Sequence, residues 1–287
     1  MKVQKYIIEN QEDFDCKDIF ECGQCFRWNL QQDGSYTGVF GNNVLNIKQE
    51  GKTLIFQGVC ENDIKETVEE YFDLKTDYTK IKQELAKIDE HLAKSIQYGQ
   101  GIRILNQDFW ECIISFIISA NNNIPRIKKI IENMSKAYGE KIIWNGNTYY
   151  TFPTPSALSK ASIEDLRGLG LGFRDKRVYE TTQCVLNGDF DIEKVGKIAD
   201  INELKEKLLT LSGVGEKVAD CIMLFSLKRF EVFPIDVWVR RVMNELYIKN
   251  EDETKVSKAE LQKLAKEKYN KLAGIAQQYL FYWKRSA

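Results

Sequence analysis

Leu211-Ser212-Gly213-Val214-Gly215-Glu216-Lys217-Val218-Ala219-Asp220-Cys221, followed after a helix's length by Phe233-Pro234-Ile235-Asp236-Val237, decides how this chain is read. Two glycines flanking Val214 permit a tight turn with positive φ and close backbone approach. The apolar spacing from Val218 to Phe230 predicts a helix that starts at this turn. Its first N–H groups have no internal acceptors. With the positive end of the macrodipole they form an anion site, and a glycine turn lets a phosphate reach it. Upstream, Ile201 to Leu209 is amphipathic at helical spacing, so residues 201–229 read as a helix-hairpin-helix. Such a hairpin grips a nucleic-acid backbone through main-chain N–H groups, without reading bases.

Binding a phosphate needs no lysine, yet Lys217 stands in the first turn, where the helix end disfavours an ammonium. A solvated surface lysine is the ordinary reading of such a residue. To act as a nucleophile it must shed a proton despite a reference pKa of about 10.4, and burial and the helix terminus both push that way. Asp236 follows Pro234 and precedes the amphipathic run Val237 to Ile248, which makes it a helix N-cap. A carboxylate held there stays ionised, and one aimed at a sugar stabilises positive charge developing at the anomeric carbon. Capping and catalysis are compatible.

These residues resemble the helix-hairpin-helix, Gly/Pro-rich loop and aspartate signature of the HhH-GPD DNA glycosylases, and most closely the 8-oxoguanine DNA glycosylase/lyase family in a bacterial member of its eukaryotic type. Four further blocks agree in chain order and span nearly the whole sequence: Gly23 to Trp28, Asn121 to Arg126, Leu169 to Arg174 and Ala273 to Gln277. The resemblance implies a bifunctional enzyme of base excision repair. It would extrude 8-oxoguanine from duplex DNA, attack C1′ with Lys217 while Asp236 stabilises the oxocarbenium-like charge, and nick the abasic strand by β-elimination through a Schiff base.

The same resemblance assigns the remaining site residues. The carbonyl matching Gly23 reads the N7 hydrogen that distinguishes 8-oxoguanine from guanine. Gln277 meets the Watson-Crick edge, and Phe281, four residues on and on the same helical face, stacks on the base while Cys221 covers its other side. Taken alone, Phe281 and Cys221 read as core residues. Asn121, Arg126, Phe173 and Arg174 match the void-filling and orphan-cytosine positions, with phenylalanine where eukaryotic members carry tyrosine. Phosphate contacts fall on Gly213, Gly215, Val218 and Trp238. Trp238 replaces the family's histidine, leaving an indole N–H as the donor. No cofactor is required. A monovalent or calcium ion on the Leu209, Leu211 and Val214 carbonyls is an optional structural element, and an iron–sulfur cluster is excluded because no cysteine follows Cys221.

Composition fits a folded protein, and the resemblance implies an enzyme that acts on duplex DNA as a monomer. Residues 1–100 carry 12 Lys+Arg against 18 Asp+Glu, a balance of −6, and the remainder 29 against 24, or +5. The basic excess accompanies the hairpin, and the overall charge of −1 predicts modest non-specific affinity. Phe109 to Ala120, the longest apolar helical stretch, is too short to span a bilayer, and the polar start Met1-Lys2-Val3-Gln4-Lys5 does not read as a secretory leader. Seven scattered cysteines suggest reduced thiols in a cytoplasmic setting, at the nucleoid when bound to DNA. The Lys-, Ile- and Asn-rich composition is compatible with an AT-rich bacterial genome.

The fold expected is α+β: an N-terminal twisted antiparallel sheet domain over residues 1–100 with flanking helices, and a helical HhH-GPD domain over 101–287 in two subdomains. Strands are expected at 26–30, 36–40, 44–48 and 53–57, a single helix at 78–95, the aspartate loop at 230–237 and a base-pocket helix at 272–285. Two rivals remain. A monofunctional alkylation-type glycosylase would use Asp236 with water, and Lys217 argues against it. A non-enzymatic hairpin module would leave Asp236, Gln277 and Gly23 without a joint purpose.

Overall fold

The computed structural model describes residues 2–286. Five strands, β1 (Val3–Ile8), β2 (Trp28–Leu30), β3 (Tyr36–Phe40), β4 (Asn43–Glu50) and β5 (Thr53–Val59), form one antiparallel sheet in the order β1-β5-β4-β3-β2. Four of them are the expected meander. The fifth, β1, pairs along the edge from Val3 opposite Val59 to Ile8 opposite Leu54. Its inward face is Gln4, Tyr6 and Ile8, while Val3 and Ile7 point outward, so its alternation runs against the usual pattern and gives no clear strand signal.

The first meander strand begins at Trp28, two residues later than expected. Trp28 stays with the sheet, stacked on Phe20 at 4.2 Å with its indole N–H on the Tyr71 hydroxyl. Phe26 turns the other way and meets Phe116 edge to face at 5.6 Å. The Gly23 to Trp28 segment is therefore the seam between the sheet and the helices.

The expected single helix at 78–95 is two, Tyr78–Ala86 and Glu90–Tyr98. Asp89 starts the second by accepting from the Leu92 N–H at 2.9 Å, and an N-cap so placed ends the first helix. Leu85, Leu92 and Ile96 join the large helical core, whereas the sheet's own core gathers Phe20, Trp28, Phe56 and Phe72. A second small hairpin, β6 (Lys141–Trp144) and β7 (Asn147–Tyr150), turns at Asn145-Gly146, both with positive φ, and packs Ile142 and Trp144 on Val39, Val44 and Val59. The Asn-Gly pair, between Trp144 and Asn147, is a strong local signal for such a hairpin.

The Ile201–Leu209 helix stands as expected, and its partner, Glu216–Leu227, stops short of residue 229 because Lys228 takes a left-handed conformation with φ 52°. That residue's ammonium pairs with the buried Asp73 at 2.7 Å. The Asp236-capped helix runs Val237–Met243 and continues as one π turn to Ile248, and the C-terminal helix is Ala273–Ser286. Among the described residues no helix is long and apolar enough to cross a membrane.

At the centre lies the Phe109–Ser119 helix, packed against Glu216–Leu227. It buries Glu111, whose carboxyl is pushed up to about 7 by desolvation, with Arg27 opposing the shift and Asp108 adding to it. A carboxyl raised above its unfolded value stabilises the fold at low pH, and that stabilisation is lost as pH rises through 7. Glu111→Gln imitates the protonated acid. Relative to wild type, its melting temperature should therefore gain on the order of 5 °C between pH 5 and pH 8. Parallel melting curves across that range would disprove the buried-acid reading.

Candidate active site

Lys217 and Asp236 are placed by two helix starts. Gly215 is the N-cap of the Lys217-bearing helix, with no side chain to satisfy the first-turn N–H groups, so they remain available to an external anion. Asp236 caps the next helix, its Oδ1 accepting from the Val239 N–H at 2.8 Å. The aspartate loop between them is pinned at two carbonyls: Gln262 donates to Phe233 at 3.0 Å and the Gly274 N–H to Phe230 at 2.8 Å. Asp220 locks the hairpin helices together through a 2.8 Å ion pair with Lys205. Burial nevertheless raises the Asp220 carboxyl to about 6, with Lys205 opposing the rise.

Six residues expected at the reaction centre, Gly23, Lys217, Cys221, Asp236, Gln277 and Phe281, line one cavity of about 50 Å³. Phe116, Phe225 and Gln278 line it too and were not expected. Phe116 and Phe225 stack at 5.5 Å, and the Lys217 ammonium lies 5.5 Å from the Phe116 ring centre. Phe116 was hidden in a run that is apolar throughout, where no spacing separates cavity-facing from core-facing rings. Burial pushes the Cys221 thiol up to about 11, with Lys217 opposing, so this side chain is a neutral, polarisable wall. Gln277 is 5% exposed and Phe281 partly buried. The cavity has room for water but not for a purine, so a base can enter only if lining side chains move.

Gly23 sits opposite, with φ +89°. A side chain at that φ is strained, and an added Cβ would lie 3.1 Å from Arg285 Nη1 and 3.6 Å from Phe281. The neighbouring Gln24 is wholly buried and fixes the segment. Its amide nitrogen donates to the Ile19 and Arg103 carbonyls at 3.0 and 2.8 Å, and its oxygen accepts from the Leu105 N–H at 2.9 Å.

Asn121, Arg126 and Phe173 form a second, exposed group, with Arg174 buried beneath it. Phe173 is 55% exposed, with the Arg174 and Arg177 guanidinium carbons 4.2 and 5.3 Å from its ring centre. The sequence reading treated the two arginines alike; the structure separates them. Arg174 is 1% exposed and donates to the Ala120, Asn121 and Leu171 carbonyls, whereas Arg126 is exposed and donates to Gly170 at 3.2 Å. Arg174 is held below the ordinary arginine value by burial, to which Arg126 and Arg177 add. Asn121 is exposed in a left-handed conformation, φ 51°.

On the hairpin, Gly213 has φ +86° and an added Cβ would fall 2.8 Å from the Arg177 side chain, so the fold itself demands glycine. Gly215 is different. It is exposed and extended, and a Cβ there meets nothing within 4 Å. Glycine suits the cap itself, and the open space beside it leaves the first-turn N–H groups accessible to an external ligand. Val218 is buried, so its contribution to such a ligand is limited to the backbone, and Trp238 is 51% exposed with Arg241 5.6 Å from its ring centre. The Leu211 carbonyl accepts the Val214 N–H at 3.1 Å, and among the described residues no backbone hydrogen bond outside the helices goes to the Leu209 or Val214 carbonyl.

Gly215→Val should lower stability by less than about 1 kcal/mol, because a glycine cap is lost and no contact is broken. Duplex affinity should fall about tenfold as the side chain blocks phosphate approach. Unchanged affinity in a folded variant would reduce the hairpin to a mere turn.

Comparison with known proteins places the chain in a family. Residues 6–113 match the family model of the 8-oxoguanine DNA glycosylase N-terminal domain, and residues 114–267 that of HhH-GPD superfamily base excision DNA repair proteins. A probable N-glycosylase/DNA lyase of Methanothermobacter thermautotrophicus is 33% identical over 247 residues, 78% of this chain and 75% of its own. The N-glycosylase/DNA lyase of Saccharomyces cerevisiae is 31% identical over 83% of this chain and 69% of its own. The Clostridium acetobutylicum 8-oxoguanine glycosylase/lyase, solved with double-stranded DNA containing cytosine opposite 8-oxoguanine, superposes with a TM-score of 0.92 at 41% identity, covering 99% of this chain and 98% of that one.

Proposed function

The chain belongs to the 8-oxoguanine DNA glycosylase family of the HhH-GPD superfamily, and from that membership we infer that it excises 8-oxoguanine from duplex DNA and then nicks the abasic strand. The observation that carries this reading is the single cavity shared by Lys217, Asp236 and the four base-contacting residues that the family resemblance nominates. A binding module would have no use for an amine and a carboxylate facing one recess beside a phosphate clip.

In this reading the hairpin N–H groups near Gly213, Gly215 and Val218, with Trp238, hold backbone phosphates, and Phe173 wedges into the stack as the damaged nucleotide leaves it. Arg126 faces the orphaned base directly. Arg174 reaches it only by giving up backbone carbonyls, and its present bonds hold Asn121 in place. Gly23 reads the N7 hydrogen, Gln277 the Watson-Crick edge, and Phe281 and Cys221 sandwich the ring.

Lys217 Nζ, as the free amine, forms a bond to C1′ while the C1′–N9 bond breaks and its electron pair leaves with the base. Asp236 stabilises the positive charge on the sugar meanwhile. The aminated sugar then opens to a Schiff base. Loss of a C2′ proton expels the 3′ phosphate, and hydrolysis frees the lysine.

The Leu209, Leu211 and Val214 carbonyls are hard oxygen donors suited to a monovalent or calcium ion, which would add positive charge beneath the bound phosphate. No step depends on it. The deciding experiment incubates the protein with duplexes carrying 8-oxoguanine or 3-methyladenine. Excision of the oxidised base with a nick that forms without alkali is expected. Preference for the alkylated base, or abasic sites that break only in alkali, would favour the monofunctional reading.

A further inference from the structure

We propose that Arg285 is a positioning residue for lesion selection: it clamps the turn bearing Gly23 onto Phe281, and so sets where the Gly23 carbonyl meets the base. This inference rests on the base-reading role given to Gly23 above. Arg285 lies near the end of the C-terminal helix, one turn beyond Phe281, so both side chains share a face. Its Nη2 donates to the Glu21 carbonyl, its guanidinium carbon is 5.0 Å from the centre of the Phe281 ring, and its Nη1 is the atom nearest to the space beside Gly23.

Every neighbour of Gly23 is thus tied down, and by different elements. Residue 21 is held through its carbonyl by Arg285, while its carboxylate accepts from the Tyr36 hydroxyl at 2.7 Å. The Cys22 carbonyl lies 3.5 Å from Gln278 Nε2. Gln24 is anchored to the Arg103 and Leu105 backbone. Of residues 21–24 only Gly23 lines the cavity, and it lies on the seam between sheet and helices. Without Arg285 the turn keeps its sheet-side anchors but loses its firmest tie to the helix that carries Gln277 and Phe281.

The consequence is one of registry. A carbonyl that accepts from N7–H of the oxidised base meets a lone pair on guanine, so discrimination depends on one hydrogen bond whose strength falls steeply with misalignment. A planar guanidinium suits the clamp, because it lies flat on an aromatic face while donating along its edge. A lysine can donate but does not stack in this way.

The test compares single-turnover rates of wild type, Arg285→Ala, Arg285→Lys and Gly23→Ala on an 8-oxoguanine duplex and on a preformed abasic site, which has no base to read. Arg285→Ala should slow 8-oxoguanine excision about tenfold while abasic-site cleavage changes by less than about twofold, with Arg285→Lys between alanine and wild type. Equal slowing on both substrates would show a merely structural residue and overturn the proposal. Undiminished excision by Arg285→Ala would overturn it too. Should the alanine variant fold poorly, the lysine variant carries the test, since it too must lose excision and spare cleavage. The underlying readings fail separately: wild type inactive on 8-oxoguanine refutes the proposed function, and Gly23→Ala at wild-type rate refutes the role of Gly23. An impaired Gly23→Ala beside an unaffected Arg285→Ala refutes the clamp alone.

Discussion

Replacing Lys217 by glutamine should abolish the covalent adduct that borohydride is expected to trap between wild type and an 8-oxoguanine duplex, and should lower excision on the order of 10³-fold. The trapped bond is an imine reduced to an amine, so it requires the side-chain nitrogen of the attacking lysine. Glutamine keeps much of the volume and the hydrogen-bonding capacity while removing that nucleophile. Lys217 is half-buried at a helix start, and no ion pair to it is recorded among the described residues, so the substitution leaves no buried charge unpaired. Its stability should stay close to wild type. Affinity for the lesion duplex should survive, because the phosphate clip is backbone. An undiminished adduct in Lys217→Gln would place the nucleophile elsewhere.

Asp236→Asn should lower 8-oxoguanine excision by about 10²- to 10³-fold with almost no loss of thermal stability. The two roles of this carboxylate separate cleanly in the geometry. Its Oδ1 accepts the Val239 N–H, and an asparagine oxygen does the same, so the helix keeps its cap. What asparagine lacks is the negative charge that opposes the developing positive charge on the sugar. Asp236→Ala loses both and should cost about 1 kcal/mol of stability in addition. Rates and melting temperatures of the pair therefore distinguish capping from catalysis. Wild-type excision by Asp236→Asn would show that the carboxylate is a cap and nothing more.

The parts of this protein that were legible in advance are those decided within a few residues along the chain. The helix start at Asp236 follows from a side chain reaching a backbone N–H three positions on, and the glycine turn between the hairpin helices from the backbone freedom of Gly213. The failures were local as well. Asp89 was read as mid-helix although it is a good cap, Asn145-Gly146 was overlooked, and β1 was missed because its buried face is partly polar.

The active site is another matter. Lys217 and Asp236 announce themselves, being oddly placed or doubly useful in their own segments. Gly23, Gln277 and Phe281 were reached through family resemblance, since nothing between residues 23 and 277 links them by spacing. Phe116, Phe225 and Gln278 carry no such signal, and Arg285 reads only as half of the basic pair Lys284-Arg285, a phosphate contact at most. Arg126 and Arg174 look equivalent on paper, but packing exposes the first and ties the second to three carbonyls.

Sequence alone was enough to single out Lys217, Asp236, the glycine turn and the α+β class, because caps, turns and amphipathic faces are short-range properties of the chain. The union of the lesion-reading turn with the C-terminal helix, the aromatic floor beneath Lys217 and the division of labour between the arginines belong to the folded molecule. They arise where the sheet-to-helix seam meets the C-terminal helix, bringing Glu21 and Arg285 into contact across 264 positions. A contact of that range is set by how two layers bury their apolar faces, which no local pattern records.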